Sequence, residues 1–439
     1  MKRILIVSPH FPPVNAADMH RVRVSLPYFE SLGWKPFVLT VDPACQEMPL
    51  EPRLLETLPP HTSITRTRAL PAKWTRPVGI GNVGLRAFAA LYRAGARLIA
   101  EEQIDLVFFS TTVFSVMALG RLWKRRFGVP YVLDIQDAWL SDYYDDKPSA
   151  RPPKYAWAKS LHSVLEPFTM RKVDGLIAVS SPYLATLRRR YPWISEAMCH
   201  TLPFGATEAD FDVADRMPWE NLHFPRHDGA VHGVAVGRGG DDMRVAAQIL
   251  FRACRLTAEA RPDAAPIRTY FVGTDYAPAR LARKTIEPVA RQEGLGPLVR
   301  EETARVPYFD GLRLLRDADF LVVLGSDDPQ YSPSKVYPYI LARRPIVAVL
   351  HAANPAADVI TRAGAGLVVT FRDERDVPAA AADLARRLPE FLRASSREPD
   401  VHWAAFEPYS ARELTRRQCE VFEASLHQRP APIEVPCPG

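Results

Sequence analysis

The sequence predicts an α/β protein of two doubly wound domains, each a parallel sheet with helices on both faces. Three observations predict it. Short runs rich in Val, Ile, Leu and Phe recur along the whole chain and are continuously apolar, as strands buried on both faces are. Segments with helical spacing of apolar residues separate them, so consecutive strands run parallel. The set occurs twice, and 439 residues exceed what one core normally fills.

The first set of strands is expected at 3–7, 37–41, 106–109, 131–135 and 176–179, with helices between them, for example over 18–32 and 85–101. The second set is expected at 233–236, 269–272, 320–323, 346–350 and 367–369. The charge- and turn-rich stretch from Phe204 to Asp228 reads as the join. The expected organisation is a first domain over 1–205, a linker over 206–230, a second domain over 231–405, a terminal helix over 406–428 and a disordered tail over 429–439.

Composition excludes several classes. At 47% hydrophobic and 24% charged the chain is globular. Its five cysteines are scattered, with no C-x-x-C pair, which argues for a reducing compartment and against a disulfide framework or a zinc site. The opening "MKRILIVSPHFPP" reads as a strand, not a signal peptide. The apolar run 104–120 is broken by Asp105, Ser110, Thr111, Thr112 and Ser115, so it reads as a strand and helix rather than a membrane span. A cytoplasmic protein is expected. Residues 1–205 carry 26 Lys and Arg against 17 Asp and Glu, the remainder 30 against 33. The basic first half suits an anionic substrate or an anionic membrane surface. No nucleic-acid motif accompanies it, and nucleic acid is not expected as a partner.

In doubly wound sheets ligands sit beyond the carboxyl ends of the strands, so the loops there are the candidate site. "SPHFPPVNAADMHR" follows the first strand. It offers His10 and the small residues Asn15, Ala16 and Ala17 for close approach of a ligand, or else Asn15 or Asp18 as a plain helix cap. No G-x-G-x-x-G is present. "VAVGRGGDDMR" is a strand, a glycine turn and a helix, placing Gly237 and Arg238 where a guanidinium suits a diphosphate. In "PQYSPSKVYPYILARRPIVAVL", Ser334 and Lys335 stand at a helix start. A lysine is electrostatically poor there unless an anion joins it. "LDIQDAW" brings Gln136 and Asp137 to the strand end, where a carboxylate orients or deprotonates a hydroxyl, or caps the next turn. "DYYDD" (142–146) lacks the partner cluster of a metal site. The segment 73–98, with Trp74, Arg86, Arg93 and Arg97, reads either as a surface helix on a membrane or as a core-facing helix with a basic outer face.

Taken together, "SPHFPP", "YVLDIQDAW", "VGR", "VPYFDGLRLLRDADFLVVL…SPSKVYPYILARRPIVAVL" and "YSARELTRRQCEVFEASL" resemble GT-B-fold glycosyltransferases of the family 4-like group, over nearly the full length. The resemblance implies two Rossmann-like domains facing a cleft. It implies a nucleotide-sugar donor held by the second domain and a glycan or lipid-linked acceptor held by the first. It further implies transfer with retention in bacterial surface polysaccharide synthesis, and no essential metal or cofactor. Arg238 and Lys335 would then face the donor diphosphate, with Asn15, Ala16 and Ala17 closing over it; from the residues themselves, Gly237 and Ser334 join the donor contacts, and Asp137 and His10 are the candidate catalytic groups toward a hydroxyl. Two glutamates usual in the group are replaced by Gln330 and Pro338. Two further readings stand beside this one: a nucleotide-sugar or glycan-binding protein without catalysis, and a sugar-nucleotide epimerase of the same fold.

Overall fold

A computed structural model describes residues 1–77, 79–140, 155–226, 228–275, 277, 280–329, 331, 334–394 and 398–427. Gln330, the "DYYDD" loop and the tail 429–439 lie outside them. The chain divides into two units, Met1–Gly205 with the segment from Ala411 onward, and Ala206–Ser410.

The first unit is built on a seven-stranded sheet: β1 Lys2–Val7, β2 Trp34–Val41, β3 Ser63–Thr67, β4 Leu106–Ser110, β5 Tyr131–Ile135, β6 Gly175–Ala178 and β7 Cys199–Thr201, in the order β3-β2-β1-β4-β5-β6-β7. The second unit holds β8 Val231–Val236, β9 Ile267–Val272, β10 Val299–Glu302, β11 Phe320–Leu324, β12 Ile346–His351 and β13 Gly366–Phe371, in the order β10-β9-β8-β11-β12-β13. Every pairing is parallel, as the continuous apolar runs require. Three strands escaped the sequence reading, β3, β7 and β10. Each lies at or near a sheet edge and carries polar residues such as Thr65, Arg66, His200, Arg300 and Glu301, so none shows an apolar run.

Two expectations about the chain's segments change. The stretch 206–230 belongs to the second unit and contains a helix, Glu208–Asp215, capped by Thr207, whose hydroxyl accepts the Ala209 N–H at 3.3 Å. Glu208, Asp212 and Asp215 form the helix's outer face, while Asp210, Phe211, Val213 and Ala214 are buried. The segment 73–98 is also no single helix. Its main helix, Val83–Glu101, starts at the Asn82 cap and turns Ala87, Leu91, Leu98 and Ile99 into the core. Arg86 is buried beneath it, donating to the carbonyls of Leu70 at 2.8 Å and Cys45 at 3.0 Å. Its apolar face is therefore spent on the sheet rather than free for a membrane.

The terminal helix, Ala411–His427, completes the core of the first unit. Phe422 is fully buried there, its ring 5.0 Å from that of Phe108, 5.5 Å from Trp34 and 6.2 Å from Phe29. Truncating a buried aromatic of this kind costs about 3–5 kcal/mol, so the segment is integral to the unit despite its place in the sequence. No helix among the described residues is long and apolar enough to cross a membrane.

Candidate functional site

Each sheet reverses its winding direction once, between β1 and β4 in the first unit and between β8 and β11 in the second. Loops leaving neighbouring strands diverge at such a point and open a crevice. The candidate residues gather at these two places, and each is described within its own unit.

In the first unit the loop after β1 is pinned at Ser8, whose N–H donates to Leu39 at 3.1 Å, and at Asn15, whose N–H donates to Pro49 at 2.8 Å. Asn15 and Ala16 are buried by this and only Ala17 stays exposed. Neither Asn15 nor Asp18 caps the short helical turn Ala17–Met19. Instead the Asp18 carboxylate is the centre of a cluster. His10 Nδ1 lies 2.9 Å from one oxygen. The other oxygen accepts from Thr111 Oγ1 at 2.8 Å, Thr112 N–H at 3.1 Å and Thr112 Oγ1 at 3.3 Å. Burial alone would push this carboxyl up, but the bonds from His10, Thr111 and Thr112 outweigh it and hold it below the usual range.

Beneath the cluster lies a second, fully buried one. Asp134 accepts from Arg21 Nε at 2.7 Å, Ser110 Oγ at 2.8 Å and Gln136 Nε2 at 2.8 Å. Arg21 also donates to the carbonyls of Leu202 at 2.7 Å and Pro203 at 3.2 Å, and Gln136 to that of Asp18 at 3.1 Å. A buried charge pair of this kind costs dearly if one partner is lost, and it locks the loops after β1, β4 and β5 together. Gln136, expected at the edge, is thus an internal brace. Asp137 does stand exposed at the edge, and the segment that follows it from 141 lies outside the described residues. Its carboxyl is pushed above the usual range, first by desolvation and then by the neighbouring Asp18 charge.

In the second unit Gly237 ends β8 with φ +107°, a left-handed turn that L side chains rarely adopt. It aims Arg238 at the crevice, where the guanidinium is gripped bidentately by Asp242 at 2.9 and 2.8 Å and lies 5.1 Å from the Tyr331 ring. A side chain at Gly240 would meet Asp242 at 2.2 Å and Arg238 at 2.6 Å, so that glycine is what lets the pair close. Lys335 reaches the same place from the far side of the crevice, its Nζ 3.4 Å from the Arg238 carbonyl. Burial first and the Arg238 charge second push this lysine down to about 8. Arg238 is held by Asp242, and Lys335 brings a second cation against the same turn.

Ser334 departs from expectation. The helix begins only at Val336, Ser334 is exposed, and its hydroxyl makes no cap. It contributes its carbonyl, which accepts the Tyr337 N–H at 3.4 Å. The helix is Val336–Leu341, with Pro338 inside it, too short to supply much of a dipole. Arg244 bonds Gln248 at 3.2 Å and pairs with Glu374 rather than joining Arg238.

Sequence reasoning missed the residue that brings Lys335 to Arg238. Tyr339, one turn after Lys335, is buried, and its hydroxyl receives the Val236 N–H at 2.7 Å and donates to the Val236 carbonyl at 3.0 Å. It thereby clamps the helix to the end of β8, one residue before Gly237. A bond spanning 103 positions leaves no local pattern to read. Asp242 was legible in principle, as an acid four residues after Arg238 in "RGGDD". Among the described residues no group of three or more His, Cys, Asp or Glu side chains comes together to hold a metal ion.

Known proteins share this architecture. Residues 20–205 match the family model described as "Glycosyl transferase 4-like domain". Sucrose-phosphate synthase from Thermosynechococcus elongatus is similar in structure (TM-score 0.56, 16% identity, 96% of this chain and 98% of that one). So are a glycosyltransferase from Rickettsia africae (TM-score 0.58, 11% identity, 98% and 99%) and Anabaena HepE, solved with UDP and glucose (TM-score 0.59, 12% identity, 96% and 100%). No curated protein matches the sequence. At these identities the structural likeness speaks for the fold. Residues 20–205 thus match the model of a glycosyl transferase 4-like domain, and over nearly its whole length the chain shares the fold of sucrose-phosphate synthase and HepE.

Proposed function

We propose that the protein is a glycosyltransferase that moves a sugar from a nucleotide-sugar donor to a hydroxyl of a glycan or lipid-linked acceptor, in surface polysaccharide synthesis. The observation that carries this reading is the meeting of Arg238 and Lys335 at the switch point of the second unit, where a diphosphate is the complementary ligand. HepE, similar in fold, binds UDP and UDP-glucose, which supports a nucleotide donor of that class. Transfer releases a nucleoside diphosphate, and preorganised cations stabilise the charge that grows on it as the bond to the sugar breaks. These side chains supply the positive charge, so the reaction is proposed to need no metal and to survive chelation. Asp137 is assigned to orient the acceptor hydroxyl, its raised carboxyl being a better proton acceptor than an ordinary one. Retention of the anomeric configuration is the outcome the resemblance implies, and product NMR reads it. Pro338, standing where the family usually has a glutamate, favours the second reading, nucleotide-sugar binding without turnover. Detectable binding with no transfer or hydrolysis would select it.

The four cysteines among the described residues are free, in keeping with a cytoplasmic site of action. Peripheral contact with an anionic membrane is proposed through Trp74 and Leu70, 67% and 57% exposed beside Lys73. Trp74→Ala should weaken sedimentation with anionic vesicles, and a wild-type protein that stays in the supernatant at low salt acts on a soluble acceptor.

Arg238→Ala and Lys335→Ala should each weaken UDP binding by more than about 1.4 kcal/mol, or tenfold, by calorimetry. A bound anion favours the charged lysine, so affinity should be full below about 8 and fall as pH rises through and above that value. Lys335→Arg should remove that dependence, and unchanged affinity in both alanine variants would remove the site. Tyr339→Phe removes both bonds to the main chain of half-buried Val236 and should cost about 1–3 kcal/mol in urea denaturation while also loosening UDP. Asp137→Asn should cut turnover and spare UDP affinity. Equal activity would take Asp137 out of the mechanism.

A further inference from the structure

The His10–Asp18 pair does more than brace a loop. Asp18 is ionised across the working range, since its carboxyl is held below the usual range, and an ionised carboxylate only accepts. His10 Nδ1, 2.9 Å from one oxygen and 3.1 Å from the other, must therefore donate. A neutral ring that donates from Nδ1 carries its lone pair on Nε2. The His10 side chain is 14% exposed against 2% for Asp18, so the ring is the part of the pair that a ligand can reach. Thr111 and Thr112 hold Asp18 in place, and Asp134, Ser110 and Gln136 support it from below. The bonds to Asp18 hold the loop, and they also leave an acceptor nitrogen whose direction is set by a buried carboxylate, which suits it to meet a hydroxyl.

We infer that Asp18 is a positioning residue that presents the Nε2 lone pair of His10 to a hydroxyl of the sugar substrate. The inference rests on the glycosyltransferase reading for its ligand, but not for its geometry.

The geometry makes Asp18→Asn a clean probe. The three threonine donors all fall on Oδ2, whereas His10 lies nearer Oδ1, at 2.9 Å against 3.1 Å. The asparagine carbonyl takes the threonine side and its NH2 then faces His10, which turns Nδ1 into an acceptor and moves the ring proton to Nε2. The full chain labelled with 15N-histidine, read by long-range 1H–15N correlation with His10→Gln to identify the signal, should show the Nδ1–H tautomer in the wild type and the Nε2–H tautomer in Asp18→Asn. A wild-type Nε2–H tautomer, or no change on substitution, overturns the positioning role. With whichever nucleotide sugar the protein turns over, Asp18→Asn and His10→Gln should each lower kcat at least about tenfold. The double variant should be no worse than the singles, because the pair acts as one device. Affinity for the sugarless nucleoside diphosphate and the thermal midpoint should stay near wild type. Tautomers as expected with kcat unchanged would overturn the hydroxyl contact and leave the transferase reading intact. A wild type with no turnover on any donor would overturn that reading and the hydroxyl assignment with it.

Discussion

Parallel strand pairing is the constraint on which the rest of this structure depends. Because every strand runs the same way, every loop that leaves a strand's carboxyl end emerges on one edge of its sheet. Reversal of the winding direction then parts two of those loops and leaves a crevice. The chemistry-bearing side chains follow from this. His10 and Asp18 lie on the loop after β1 and meet Thr111 and Thr112 beyond β4, and Arg238 and Asp242 beyond β8 meet Lys335 in the segment that follows β11. No local motif had to encode these meetings, since the topology makes them.

What the topology brings near, buried polar bonds fix in place. Asp134 and Arg21 secure the first crevice, and the Tyr339 hydroxyl secures the second. Glu301 does the same at the rim of the second sheet. It is almost fully buried, and it accepts from Thr274 Oγ1 at 2.7 Å and from the N–H groups of Ile286 at 2.9 Å and Glu287 at 2.8 Å. Each such group would be costly to leave unpaired, so each holds its loop to one geometry. Rigid support beneath a polar edge is what a site needs if its charges are to be preorganised rather than gathered by the ligand.

The sequence read well wherever burial writes a periodic signal. Continuous apolar runs located the nine central strands and the edge strand β13, and the glycine turn after Val236 placed Arg238. Reading failed where the determining contact is long-range. Asp18 looked like a helix cap because its partners Thr111 and Thr112 lie more than ninety residues away. Ser334 and Lys335 looked like a helix start because a serine before an apolar run usually marks one, whereas the helix starts at Val336 and holds Pro338 within its six residues. The amphipathic helix over 83–101 could face a core or a membrane, and periodicity alone does not distinguish them, since either apolar phase yields the same stripe.

On the function proposed above, the crevice in the second unit receives the diphosphate of a nucleotide sugar. Saturation-transfer NMR of the full chain against UDP-, GDP-, dTDP- and CDP-sugars tests it most directly. One base class is expected to bind, to be displaced by excess of the matching nucleoside diphosphate, and to lose its signal in the Arg238→Ala, Lys335→Ala double variant. Binding of none of the four classes, or binding that the double variant leaves untouched, would contradict it.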